Sequence, residues 1–127
     1  MPPEPIATPH APPALGPYSP AVRAGEWVML SGQVGLDPVS GKIVDGGVEA
    51  EARQVFTNIG AILDDCGLTL RDVAKTLVFV ADIGDFPKVN AVYAEAFGEH
   101  KPARSTVEVA ALPGGARVEI EVWAYGN

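Results

Sequence analysis

The sequence is poor in cysteine, histidine and long apolar runs, and each shortage excludes a class of protein. The 127 residues include one cysteine, Cys66, so no internal disulfide can form. His10 and His100 lie far apart and lack partners at metal-ligand spacing, which argues against a metal site. No apolar run approaches the ~20 residues of a membrane-spanning helix. The start, MPPEPIATPH, lacks the basic and apolar regions of a signal peptide, so we expect a cytoplasmic protein without a membrane partner.

Basic residues are also scarce. Nine lysines and arginines stand against 16 aspartates and glutamates, which gives a formal net charge of −7. Binding to phosphates needs a basic patch, so nucleic acid is not an expected partner. Glycine-rich nucleotide loops and the GxSxG turn of serine hydrolases are missing as well.

Proline is abundant at one end of the chain. Eight of the 12 prolines stand in the first 20 residues, which predicts an irregular arm with some polyproline II character. The arm is expected to close on the rigid turn of residues 16–20, which carries the ring of Tyr18. Further along, Asp64, Asp65, Glu49 and Glu51 are predicted to be solvated charges on a helix, and Cys66 is predicted to pack at its end.

The apolar pattern predicts a single α+β domain over residues 1–127, with two helices packed on one face of one mixed sheet. One helix runs from about Val48 to a stop at Gly67. The other has Asp85 as N-cap, Pro87 in its first turn and a stop at Gly98. The predicted strands and hairpin segments cover residues 27–32, 41–44, 73–81, 105–110 and 117–125.

Alternation within the last two strands assigns side chains to the two faces of the sheet. The aliphatic sets are expected under the helices: Val107 and Val109 in one strand, and Val118, Ile120, Val122 and Ala124 in the other. The opposite face is expected to carry Arg104, Thr106, Glu108, Glu119, Glu121, Trp123 and Tyr125. This face is either solvated or a subunit interface, and its Trp, Tyr and Arg content favours the interface.

Arg104 and Glu119 are the residues whose chemistry suggests a site. Arg104 follows the stiff Pro102-Ala103 pair, and its planar fork of donors suits a carboxylate. Spacing alone favours a surface arginine paired with a glutamate. Glu119 either shuttles a proton from a partly buried position or is one of several strand carboxylates. Both alternatives stay open on these grounds.

Several segments, taken in order, resemble the RidA family, also called YjgF and formerly L-PSP endoribonuclease. The likeness runs in register from Ile6 to Ala124. Its strongest pieces are ALGPYS from residue 14, LSGQ from 30, DPVSG from 37, DVAKT from 72, PARSTVEV from 102 and VEIE from 118. The resemblance implies a chorismate-mutase-like α+β fold and a homotrimer with sites between subunits. It also implies hydrolysis, without a cofactor, of 2-imino acids and enamines such as 2-aminoacrylate to 2-oxo acids and ammonia.

The same resemblance assigns roles to individual residues. Arg104 matches the arginine that binds the substrate carboxylate, and Glu119 matches the glutamate that acts on the catalytic water. The other matches are Tyr18 and Ser31, which line the pocket, Asn90 beside it, and Thr106, whose backbone helps to bind substrate.

The chain departs from the family pattern in three places. Thr106 stands where cysteine is frequent, and Glu51 where many members have glutamine. The link His100-Lys101 is short, which leaves the size of the substrate open. Other functions remain to be weighed: a catabolic imine or enamine as substrate, small-carboxylate binding without turnover, and RNA cleavage, which the net charge disfavours.

Overall fold

The computed structural model describes residues 2–126, and its centre is a seven-stranded mixed sheet. The strands follow the spatial order β1-β2-β3-β7-β5-β6, and β4 pairs with β7 beside β3. All pairs are antiparallel except β5 with β6, which run parallel. The strands are β1 Glu4–Pro5, β2 Ala21–Ala24, β3 Trp27–Leu30, β4 Gln33–Val34, β5 Val73–Val80, β6 Ala103–Glu108 and β7 Val118–Tyr125. The helices are α1 Gly47–Asp65 and α2 Phe86–Phe97.

Helix α1 forms where apolar residues recur at helical spacing, as predicted. Its apolar stripe is buried against the sheet and includes Val48, Ala52, Val55, Phe56, Ile59, Ile62 and Leu63. Gly67 ends the helix with a φ of 76°, a left-handed conformation that favours glycine. Cys66 packs at this end as expected, and burial raises the pKa of its thiol.

Helix α2 confirms the predicted stripe and both of its ends, with one correction. Asp85 stands at the N-cap, but its side chain makes no capping hydrogen bond. The carboxylate instead accepts a 2.8 Å hydrogen bond from Nη2 of Arg117, the residue that precedes β7. Asp82 caps the short 3-10 turn that precedes α2, because its carboxylate accepts from the backbone N–H of Gly84. The buried stripe is Val89, Val92, Tyr93 and Phe97.

Strand β7 alternates as predicted and forms the middle of the core. Val118, Ile120, Val122 and Ala124 have no exposed surface, and both helices cover this side of the sheet. The β5 partners of three of these residues, Val80, Val78 and Thr76, are buried on the same side. Glu119, Glu121, Trp123 and Tyr125 face the other way, as expected.

The predicted facing of β6 is wrong. Arg104, Thr106 and Glu108 pair in parallel register with Thr76, Val78 and Val80, whose side chains point to the helices. Paired residues of neighbouring strands share a face, so these three β6 side chains lie on the helix side. Val107 lies on the opposite face, where 47% of it is exposed. Arg104 and Glu119 therefore face opposite sides of the sheet.

Two acidic residues expected in solvent are bound to other groups. Glu51 is 4% exposed, and its carboxylate accepts a 2.8 Å hydrogen bond from the backbone N–H of Arg117. Asp65 accepts two hydrogen bonds from His10, one from the backbone and one from the ring. Both carboxylates thus join distant parts of the chain.

The remaining difference concerns the short strands at the start of the chain. The arm contains a strand, β1, that pairs with β2, and neither was predicted. Within residues 2–126 no helix is both long and apolar enough to span a bilayer. The same part of the chain holds no cluster of three or more side chains suited to binding a metal ion.

Candidate active site

One group of the predicted site residues surrounds a cavity beneath the proline-rich arm. The cavity has a volume of about 240 Å³. The arm supplies one wall, which includes Tyr18, and strand β7 contributes Glu119. The other lining residues are Pro12, Pro13, Leu15, Pro20, Gly32, Gln33, Val34, Leu36 and Pro113. Because most of the lining is apolar, the Glu119 carboxylate is poorly solvated in this cavity.

The Glu119 carboxyl is half-buried, and its environment shifts its titration. Burial raises the pKa of Glu119 above its ordinary value, and the nearby charge of Glu121 raises this pKa further. The side chain lies directly against Gly32, where an added Cβ would overlap the carboxylate. Glycine at this position therefore makes room for the acid at the cavity.

Side-chain contacts help to hold the arm over the cavity, in addition to the pairing of β1 with β2. Next to the cavity, the Ser31 hydroxyl donates a 2.7 Å hydrogen bond to the Ser19 carbonyl. Ser31 precedes Gly32, which lies against Glu119, and its hydroxyl is engaged by the arm. Further out, the His10 ring and Asp65 are joined at 2.6 Å between Nδ1 and Oδ1.

The His10–Asp65 contact makes attachment of the arm dependent on pH. The hydrogen bond to Asp65 raises the pKa of His10 above 6.5, and the charges of Asp65 and Asp64 add to this shift. Because the folded pKa is raised, the stabilisation is complete below 6.5 and is lost as pH rises through the folded value. We therefore expect the rate of limited proteolysis of the arm to increase as pH rises through the pKa of His10 in the folded protein. In His10→Lys, which keeps its charge, the rate should stay flat, and a parallel rise there would contradict the assignment.

The second group of predicted residues lies on β6 and α2. The Arg104 guanidinium donates from Nη1 to Oδ1 of Asn90 at 2.8 Å. Its carbon lies 4.6 Å from the ring centroid of Tyr93 and 5.1 Å from that of Phe86. Arg104 and Asn90 border a cavity of about 420 Å³, which His100 and Lys101 of the short link also line. Arg104 is therefore an oriented cation at the edge of a pocket.

Thr106 shares the face of Arg104 and has a buried, unpartnered hydroxyl. Its Oγ1 is out of contact with solvent and has no hydrogen-bond partner among residues 2–126. An unsatisfied buried hydroxyl costs about 1–3 kcal/mol. The equivalent atom of Thr76, on the neighbouring strand, meets the Tyr93 hydroxyl at 2.8 Å.

This contrast predicts opposite effects of two matched substitutions. Thr106→Val should raise the free energy of unfolding by about 1 kcal/mol, because it removes an unpaired polar atom at nearly constant volume. Thr76→Val should lower it by a similar amount, because it breaks a buried hydrogen bond. Urea unfolding measures both. A destabilised Thr106→Val would mean that Oγ1 finds a partner in the assembled protein.

The structure brings the predicted residues together as two clusters. Tyr18, Ser31 and Glu119 form one cluster, and Arg104, Asn90 and Thr106 form the other. Glu119 faces the open side of the sheet and Arg104 the helix side, so a single chain keeps the clusters apart.

Sequence reasoning missed three residues that shape these clusters. Gly32 stands in the LSGQ segment, Phe86 at the start of α2 and Tyr93 on its buried stripe, and no site role was predicted for any of them. The spacing of Phe86, Asn90 and Tyr93 was the available signal, because residues at i, i+4 and i+7 lie on one side of a helix.

Comparisons with known proteins agree with this architecture. A family model described as endoribonuclease L-PSP matches residues 8–126. A RutC family protein of Pyrococcus horikoshii is 49% identical over 122 residues, covering 96% of this chain and 97% of that protein. The Homo sapiens 2-iminobutanoate/2-iminopropanoate deaminase is 49% identical over 119 residues, covering 94% of this chain and 87% of that protein.

Solved structures match equally well. The crystal structure of E. coli TdcF with bound serine has a TM-score of 0.91 and 39% identity, covering 98% of this chain and 99% of that chain. The family model and the curated relatives each span nearly the whole sequence. The chain therefore belongs to the endoribonuclease L-PSP family, whose members are also called RidA or YjgF proteins.

Proposed function

We propose that this chain, acting as one RidA-like domain over residues 1–127, hydrolyses reactive 2-imino acids to 2-oxo acids and ammonia without a cofactor. Relatives about half identical to it are named 2-iminobutanoate/2-iminopropanoate deaminase. Others carry the names RutC and endoribonuclease, so the names alone do not fix the reaction. The observation that carries the proposal is that one small protein holds both an oriented arginine, Arg104, and a half-buried carboxyl of raised pKa, Glu119.

In this proposal Arg104 binds the substrate carboxylate. A guanidinium fork matches a carboxylate in plane and fixes the position of the adjacent C=N carbon. Asn90 holds one edge of the fork, and the backbone at Thr106 adds a further contact. Enamines such as 2-aminoacrylate enter the same reaction after tautomerising to the imine.

Glu119 then acts on the water. As the water oxygen bonds to the C=N carbon, the Glu119 carboxylate takes one proton from the water and passes it to the imine nitrogen, which gives a neutral carbinolamine. The carboxylate then moves the hydroxyl proton of the carbinolamine to the nitrogen, the C–N bond breaks as the C=O bond forms, and ammonia leaves the 2-oxo acid. Tyr18 closes the cavity, and Ser31 fixes the arm that carries it. The C=N carbon is electrophilic already, so positioning and proton transfer are sufficient.

The two clusters must meet for this chemistry, and we propose that they meet between the subunits of a chorismate-mutase-like homotrimer. The opposite facing of Arg104 and Glu119 supports a site shared by two chains. The open face of the sheet supports an interface, because three aromatic side chains cluster on it at 39–50% exposure. Trp27 packs edge-on against Trp123 and Tyr125, at 6.3 and 5.0 Å between centroids.

The reaction is tested with substrate made in place. A serine/threonine dehydratase generates 2-aminoacrylate from serine, and release of the 2-oxo acid is followed with and without this protein. We expect the protein to accelerate release beyond the spontaneous rate. An unchanged rate across a panel of imino acids would refute the enzymatic proposal.

Shared sites are tested by mixing inactive subunits. Arg104→Ala and Glu119→Gln are expected to be inactive as separate homotrimers. Every mixed trimer regains one complete site, so random co-assembly should restore about a quarter of wild-type activity. No recovery in verified mixed trimers would place both residues in one chain's site and overturn the arrangement.

A non-catalytic binder of small carboxylates is the second candidate. The serine bound to E. coli TdcF favours it, since serine is a small carboxylate. It predicts binding that depends on Arg104 without any turnover, whereas the deaminase predicts both.

A further inference from the structure

Side chains on one side of α2 hold the Arg104 guanidinium. Phe86, Asn90 and Tyr93 follow one another at i, i+4 and i+7, so their side chains emerge on the same side of the helix. All three contact the guanidinium: two through ring faces, at 4.6 and 5.1 Å, and one through a 2.8 Å hydrogen bond. The group is thus held from several directions by a single rigid element.

Tyr93 is itself fixed from below. Its ring is 8% exposed, and its hydroxyl meets Oγ1 of the fully buried Thr76 at 2.8 Å. Thr76 is the β5 residue paired with Arg104. A continuous path therefore runs from the strand beside Arg104, through two hydroxyls and a ring, to the face of the guanidinium.

This arrangement determines which part of the guanidinium stays available. A ring under the flat face attracts the cation and fixes its plane, while the N–H donors around the edge remain free to bind. Holding a long side chain in one conformation before binding also reduces the entropy lost when a ligand arrives. Asn90 takes one donor at one edge, and the other donors suit a two-oxygen ligand.

We propose that Tyr93, held by Thr76, is a positioning residue that sets the plane of Arg104 for a substrate carboxylate. The inference deepens the proposed function and rests on its assignment of Arg104 to the carboxylate. In this proposal Tyr93 acts through the arginine and not on the substrate itself.

A double-mutant cycle separates this role from ordinary core packing. The variants are Tyr93→Leu, Arg104→Ala and the double variant, and the probes are serine binding by calorimetry and KM and kcat for 2-aminoacrylate. Tyr93→Leu should raise the serine Kd and KM about fivefold or more and leave kcat within about twofold. In the Arg104→Ala background the same change should have no further effect on serine Kd. An equal loss in both backgrounds, or a wild-type Kd in Tyr93→Leu, would overturn the proposal.

Two conservative variants, which are less disruptive to the core than Tyr93→Leu, test the hydroxyl pair itself. Tyr93→Phe keeps the ring and loses only the hydroxyl, and Thr76→Val removes the other half of that pair. Both should give the same small rise in Kd, and combining them should add nothing. Additive effects would show that the hydroxyl pair does not work as a unit.

Phe56→Leu is the matched control for packing. Phe56 touches the Tyr93 ring edge-on at 5.8 Å and belongs to the same core cluster. It should lower stability without changing Kd; a Kd rise equal to that of Tyr93→Leu would assign the effect to packing. If the wild type binds serine but hydrolyses no imine, the proposed reaction is refuted. The serine Kd values of the variants still test the role of Tyr93 in that case. If Arg104→Ala binds serine as the wild type does, both fail.

Discussion

Arg104→Ala is expected to lower kcat/KM for 2-aminoacrylate about 100-fold or more. Each hydrogen bond to a charged group contributes about 1.5–3 kcal/mol, and a carboxylate held by a guanidinium fork makes two of them. Since 1.4 kcal/mol is about a factor of ten, the pair accounts for at least this loss. Oxo-acid release at low substrate concentration measures kcat/KM directly.

Arg104→Lys separates charge from geometry. Lysine keeps the positive charge but offers a point charge in place of a planar fork, and it stacks less well on Tyr93. We expect a loss of about tenfold, between wild type and alanine. Arg71→Ala is the matched control, because Arg71 is an exposed arginine in the turn before β5. It should keep full activity. Wild-type kcat/KM in Arg104→Ala would refute the carboxylate role.

Much of the fold was predictable because apolar spacing determines which residues must be buried. The 3.6-residue stripe of α1 and the strict alternation of β7 each place a complete set of aliphatic side chains on one side. Arg104 and Glu119 were identified on other grounds, namely their side-chain chemistry and the resemblance to the RidA family.

The facing of β6 could not be predicted from alternation. Alternation sorts the residues of one strand into two sets, but the strand pairing decides which set meets the helices. The rule that aliphatic residues face the helix layer failed here because β6 is the edge strand of the sheet. There Arg104 lies against aromatic rings of α2, and Val107 lies on the open face. The parallel pairing with β5 is a contact between distant segments, and no local pattern records it.

The bound acids were missed for a similar reason. Glu51 and Asp65 stand on a helix with an ordinary polar pattern, and their partners are 66 and 55 residues away. A carboxylate on a helix is usually solvated, and only the tertiary fold brings a backbone N–H or a histidine ring to it. The separation of the Glu119 cluster from the Arg104 cluster also depends on contacts between distant segments, so it could not be predicted from the sequence.

Glu119→Gln is expected to lower kcat about 100-fold or more. General acid–base groups contribute about 10²–10⁴ in rate, and an amide of the same shape cannot accept the proton from water. The loss should fall on kcat, with KM changed less, because the carboxyl acts on water and Arg104 holds the substrate. Wild-type turnover in Glu119→Gln would show that another group activates the water.

The pH dependence of turnover tests the same residue independently. Activity requires the ionised carboxylate, so the enzymatic rate above the spontaneous rate should rise with pH through the pKa of Glu119. Burial and the charge of Glu121 raise this pKa, so the rise should lie above the usual range of a glutamate. Glu121→Gln removes one of the two causes and should move the profile to lower pH, toward the value that burial alone sets. A profile that stays fixed or moves upward in Glu121→Gln would mean that a group other than Glu119 controls the rate.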